Sequence, residues 1–175
     1  MQKDAGFSFV ELMTVIAILA ILAGIAIPSF ISWRGNSQLS RASRDVYSSF
    51  QKAKIEAIRR NMNCAVWFRG NTGFVIYLEP DDVPYPFDGD EEVISTISWS
   101  DYPGVGLDLE EGNGDGANND GLLLSSPTDR IFFAPDGLPR NNAASLGSVT
   151  VFLTNSGNSR QNTVSVSTAG NVRIN

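Results

Sequence analysis

Polar and apolar positions along this chain fall into three regimes. From residue 7 to residue 33 the positions are almost all apolar, and the one charge is Glu11. The apolar run continues to Ile27 and meets Pro28. About 20 such residues are enough to cross a bilayer as a helix, and a helix satisfies its own backbone polar groups in lipid. From residue 39 the pattern becomes amphipathic. Leu39, Ala42, Val46, Phe50, Ala53 and Ala57 recur at spacings of three and four, which predicts one apolar stripe on a helix. Arg41, Asp45, Ser48, Lys52 and Glu56 fall on the other side, with i,i+4 pairs Arg41–Asp45 and Lys52–Glu56. Residues 7–61 would form one helix about 80 Å long if continuous. Trp33 suits the membrane exit.

From Cys64 the period drops to two. Residues 65–69 and 74–79 flank Gly70-Asn71-Thr72-Gly73, a hairpin signal. Further strands are expected at 93–99, 131–134, 149–154, 163–167 and 172–174, with Pro135-Asp136-Gly137 as a turn. The expected fold is α+β. A long N-terminal helix, half transmembrane and half amphipathic, packs on a small antiparallel β-rich head through the stripe from Leu39 to Ala57. The domain division is 1–6 as a leader, 7–61 as the helix with its span at about 7–31, and 62–175 as the head.

Two residues of the span stand out. A carboxylate deep in lipid costs a few kcal/mol. Glu11 either rests at the positive end of the helix dipole, or is buried on assembly against a cation. Pro28 cannot donate to the Gly24 carbonyl, so 24–28 is the weakest part of the span: a fixed kink, or a hinge that bends when subunits pack.

Composition narrows the chemistry. Histidine is absent, which excludes histidine triads, bases and metal ligands. Cys64 is the one cysteine, so it forms no intramolecular disulfide; its apolar neighbours mark it as a buried thiol. No enzymatic activity and no cofactor is expected. The net charge of −6 hides an asymmetry. Residues 34–60 carry seven bases against Asp45 and Glu56, whereas residues 70–129 carry no base and many acids. Complementary contacts within or between subunits follow, with two solvated faces as the plainer alternative.

Gly6-Phe7-Ser8-Phe9-Val10-Glu11-Leu12 resembles the class III signal of type IV pilins and type II secretion pseudopilins. Ser8, Phe9 and Val10 are mild departures from the family's Phe-Thr-Leu-Ile-Glu. The resemblance implies cleavage between Gly6 and Phe7 by a prepilin peptidase and N-methylation of Phe7. It also implies that Glu11 pairs with the Phe7 amine of an adjacent subunit, and it favours Pro28 as a hinge. A conventional signal peptide cleaved near 20–26 is the alternative.

The stretch 131–137, the strand ending at Asn155 and residues 164–174 resemble the pseudopilin H and fimbrial T group. The implied function is a minor pseudopilin of a type II secretion system, held single-pass in the bacterial inner membrane with its head in the periplasm. Its partners would be other pseudopilins or pilins, the prepilin peptidase, an inner-membrane assembly platform and membrane lipid. The alternative is a type IV pilus minor pilin acting in pilus assembly, adhesion or DNA uptake. Some fimbrial T-type members end in Gly-Arg-x-Arg to bind DNA. Here Gly170-Asn171-Val172-Arg173 lacks the first arginine, so nucleic acid is not an expected partner. Residues 79–130 read as acidic loops rich in proline and glycine. Oxygen donors are dense at 112–121, but Ala117 breaks the alternation a calcium loop needs, so no metal is assigned.

Overall fold

The computed structural model describes residues 8–79, 91–109, 121–124, 129–141, 145–157 and 160–175. Helix α1 (Phe9–Arg60) comes first. The described strands are β1 (Asn63–Phe68), β2 (Gly73–Glu79), β3 (Glu92–Ser98), β4 (Val105–Leu107), β5 (Leu122–Leu124), β6 (Arg130–Phe133), β7 (Pro139–Arg140), β8 (Val149–Asn155), β9 (Arg160–Val166) and β10 (Val172–Ile174). The chain divides into two units, Met1–Arg34 and Gly35–Asn175.

In the second unit, α1 is amphipathic as its spacing requires. Leu39, Ala42, Val46, Phe50, Ala53 and Ala57 are each no more than 1% exposed. Arg41, Arg44, Ser48 and Lys52 face solvent. The helix stops because Asn61 adopts φ +53, a left-handed conformation that asparagine tolerates. The Asn61 amide then donates to the Ile58 carbonyl and the Met62 amide to the Ala57 carbonyl, a Schellman ending. Arg59 and Arg60 place positive charge on the negative end of the dipole.

All strand pairs are antiparallel, in two sheets. The first has the order β3-β2-β1-β6-β7, and the second runs β10-β9-β8 with β4 beyond. Strand β5 also pairs with β8. Alternation along β1 sends Cys64, Val66 and Phe68 into the main core with the helical stripe, Phe74, Ile76 and Phe133. The inner residues of β8 and β9 (Val149, Val151, Leu153, Val164, Val166) close the same core. Phe50 sits in it, 6.1 Å from the Phe68 ring and 6.3 Å from the Phe133 ring. The outer face of the first sheet is buried as well, at Ala65, Val75, Tyr77 and Phe132. That double burial explains why Phe74-Val75-Ile76-Tyr77-Leu78 is apolar without interruption.

The expected hairpin of β1 and β2 is present, in register from Asn63↔Glu79 to Phe68↔Phe74. The antiparallel head expected from the sequence divides into two sheets among the described residues. Strands β4 and β5 lie in the stretch expected to be loops. They share one edge of β8. Leu107 stands opposite Leu153, and Leu122 opposite Val151. The Asp108 amide donates to the Phe152 carbonyl, and the Phe152 amide to the Gly121 carbonyl. A Cβ on Gly121 would lie 2.8 Å from Leu107 Cβ, so the two chain segments touch where they leave and rejoin the sheet.

One polar tie links helix and sheet. Buried Asn155, at the end of β8, donates from Nδ2 to the Gly35 carbonyl at 3.2 Å, and its Oδ1 accepts from the Gly157 amide at 2.9 Å. A Cβ on Gly35 would approach that side chain to 3.1 Å. Asn155→Ala leaves the half-buried Gly35 carbonyl without this donor and opens a gap. A loss of about 1–3 kcal/mol is expected, read as a lower denaturant midpoint with an unchanged slope.

Candidate functional site: the apolar helix surface

What the first unit offers is surface. Every residue from 8 to 34 whose side chain is described is exposed, including Phe9 at 73%, Ile25 at 72% and Trp33 at 64%. A helix apolar all round and covered by nothing is stable only in lipid or against other apolar helices. Phe9–Arg60 is the one candidate membrane span among the described residues, with its apolar window 0% buried.

Glu11 lies in the first turn of α1 and is solvent-exposed. The first turn carries amide groups with no intrahelical acceptor, so a carboxylate is favoured there before any partner arrives. One turn on, Thr14 returns its hydroxyl to the Val10 carbonyl at 2.8 Å. Gly6 and Phe7 lie outside the described residues, so the expected cleavage and methylation positions have no geometry here. Pro28 is inside α1, and the helix runs through 24–28 without a break. A Cβ on Gly24 would meet nothing within 4 Å, so its small size makes room for a neighbour rather than for this chain.

The charges of the second unit partly meet the expectation of complementarity. Arg60 forms a two-pronged pair with Glu92, at 2.9 and 3.1 Å. Arg41 pairs with Asp45 at 3.9 Å, as its spacing suggested. Glu56 was expected to face Lys52; it binds Arg59 at 2.5 Å and Arg60 at 3.5 Å instead. The Arg59 hydrogen bond is the main reason Glu56 stays below the usual carboxylate range. The spacing gave no sign of Tyr102, whose hydroxyl donates to Asp45 at 2.7 Å; burial, then that acceptor, raises the phenol's pKa. Two isoleucines of the helix, Ile55 and Ile58, remain exposed.

Nothing described supports catalysis. Cys64 is fully buried, and burial pushes its thiol up to about 12. With so little thiolate at pH 8, a thiol reagent should leave native Cys64 unmodified and label it fully after denaturation. Rapid labelling of the folded chain would contradict the core placement. Among the described residues no group of three or more acids or cysteines could hold a metal ion. Of the oxygen-rich stretch 112–121, only Gly121 is among the described residues. Gly170 turns the C-terminal hairpin over the helix, where its carbonyl accepts from Lys54 Nζ at 3.1 Å, and Arg173 follows on exposed β10.

Comparison with known proteins agrees with this arrangement. A family model described as Type II transport protein GspH matches residues 42–170. Another, the prokaryotic N-terminal methylation motif, matches residues 1–27. The chain is 28% identical over 171 residues to the pilin-like protein PilA1 of Thermus thermophilus, covering 97% of each. In fold it is similar to the type IV minor pilin FimU of Pseudomonas aeruginosa (TM-score 0.54, 12% identity, 80% of this chain and 90% of that one). It is also similar to the minor pseudopilin EpsH from the Type 2 Secretion System of Vibrio cholerae (TM-score 0.51, 14% identity, 79% of this chain and 96% of that one). A long N-terminal helix on antiparallel sheets, a methylation motif before it and a family match over most of the head place this chain in the GspH family of type II transport proteins.

Proposed function

We propose that this protein is a minor pseudopilin, a structural subunit of the periplasmic filament of a type II protein secretion system. A prepilin peptidase cuts between Gly6 and Phe7 and methylates the new amine. The helix then holds the subunit in the inner membrane, with residues 62–175 in the periplasm, until the assembly platform moves it into the filament. There the apolar surface passes from lipid to neighbouring pilin-type helices. Glu11 pairs with the Phe7 amine of the adjacent subunit and fixes the register, and Pro28 is where the helix yields as subunits pack. The subunit performs no covalent chemistry.

The observation that carries this reading is the wholly exposed apolar helix with a single acid in its first turn. In a plain anchor the helix dipole alone answers that acid, whereas the subunit pairing supplies a cation as well. Mass spectrometry of the mature chain tests the proposal. A mass lacking residues 1–6 and carrying one N-methyl group on Phe7 supports it; a retained leader, or a start near residue 25, overturns it.

A second reading, a minor pilin of a type IV pilus, draws on the whole-length similarity to PilA1 and the fold of FimU. Deleting the gene separates the two: loss of protein secretion with intact pili supports the first, and loss of pili with intact secretion supports the second.

A further inference from the structure

The outer face of the second sheet carries an open depression of about 390 Å³, lined by Ser148, Thr150, Ser165, Val166, Ser167, Asn171 and Arg173. Its polarity follows from strand alternation. Val149, Val151, Val164 and Val166 point into the core, so the residues between them point out. Register then aligns the outward groups. Thr150 is opposite Ser165 on β9, and Ser165 is opposite Arg173 on β10. Three adjacent strands thus present a hydroxyl, a hydroxyl and a guanidinium in one row about 10 Å long.

The Arg173 side chain has no hydrogen bond or ion pair among the described residues. That is notable in a chain of net charge −6. The local balance is the reverse: residues 130–175 hold Arg130, Arg140, Arg160 and Arg173 against one acid, Asp136, which Arg140 already binds. No carboxylate lines the depression.

We propose that this depression binds an acidic sugar, with Arg173 taking the carboxylate and Thr150 and Ser165 hydrogen-bonding the ring hydroxyls. A guanidinium matches a carboxylate with two parallel hydrogen bonds. The flanking hydroxyls both donate and accept, as sugar hydroxyls do. An apolar ligand would leave the outward hydroxyls and the Arg173 guanidinium without partners. A long polyanion needs several bases to displace its counterions, and this face has one. A bare anion leaves most of the hydroxyl row unused.

The test is an NMR titration of the full chain in a polyoxyethylene detergent, since sugar-headed detergents would compete. The probes are galacturonate oligomers, neutral galactose oligomers, inorganic phosphate and a short single-stranded DNA. Galacturonate oligomers should shift the amides of Thr150, Ser165 and Arg173 saturably, and neutral oligomers should bind about tenfold more weakly or worse. Arg173→Gln should lose about tenfold in affinity with an unchanged melting temperature. Thr150→Val, which keeps both shape and charge, should weaken binding by a smaller factor. An absent or non-saturable shift overturns the proposal, as does equal binding of neutral oligomers or an unaffected Arg173→Gln variant. Phosphate binding as tightly as galacturonate reduces the site to a simple anion site. Tighter DNA binding at the same amides assigns it to nucleic acid.

Discussion

Replacing Glu11 with alanine is expected to abolish incorporation into filaments while the protein still inserts into the membrane and folds. The sign of each effect separates the steps. Alanine gives up a first-turn dipole interaction of about 0.3–1 kcal/mol, but removing a charge near lipid lowers the cost of insertion by up to a few kcal/mol. A poorer anchor therefore cannot explain a defect. Glu11 is exposed and far along the chain from the head core, so the head should keep its melting temperature. On the proposed pairing, the loss falls on the contact between subunits, where the Phe7 ammonium group of a neighbour would be buried without a counterion. Breaking one side of a buried pair costs about 3–5 kcal/mol. Co-purification with companion pilin-type proteins should drop at least tenfold, a conservative conversion of that cost. Glu11→Gln keeps shape and hydrogen bonding but not charge, and should fail nearly as badly. Wild-type recovery of companions by Glu11→Ala would remove the pairing from the account.

Phe50→Ala should be the most damaging single truncation in the head. Phe50 is fully buried where the helix meets both Phe68 and Phe133, so the cavity cannot be filled from one side alone. Phenylalanine-to-alanine changes at such sites cost about 3–5 kcal/mol, against a total of about 5–15 kcal/mol for a domain. Thermal unfolding in detergent, followed by near-ultraviolet circular dichroism, should move down by roughly 10 °C or more. Phe50→Leu keeps most of the volume and should lose less than half as much. A shift of only a degree or two for Phe50→Ala would mean that the helix does not carry the core.

What was legible in the chain was periodic. The stripe Leu39 to Ala57 repeats over five turns, and each member is buried. The hairpin of β1 and β2 announced itself by two apolar runs around a glycine-bounded turn. Strands β4 and β5 were not legible, because three residues are too few to show alternation inside an acidic, glycine-rich window. Nor could spacing have found Asn155 gripping Gly35, since the two are 120 residues apart and their contact is polar. For the helix surface, the apolar run gave the exposed rod and its one acid from physics alone. Gly6 and Phe7 came from motif resemblance, because cleavage chemistry belongs to the peptidase and leaves no packing signature in its substrate.

The shared edge of β8 has a consequence for how this head can vary. Leu107 and Gly121 are already in contact, so the chain between them leaves and returns through one narrow doorway. Closing a longer excursion there costs only about 0.6 kcal/mol per doubling of its length. Lineages could lengthen or shorten that segment while β4 and β5 keep their described pairings on β8, and an epitope spliced into it would ride on the head as a passenger.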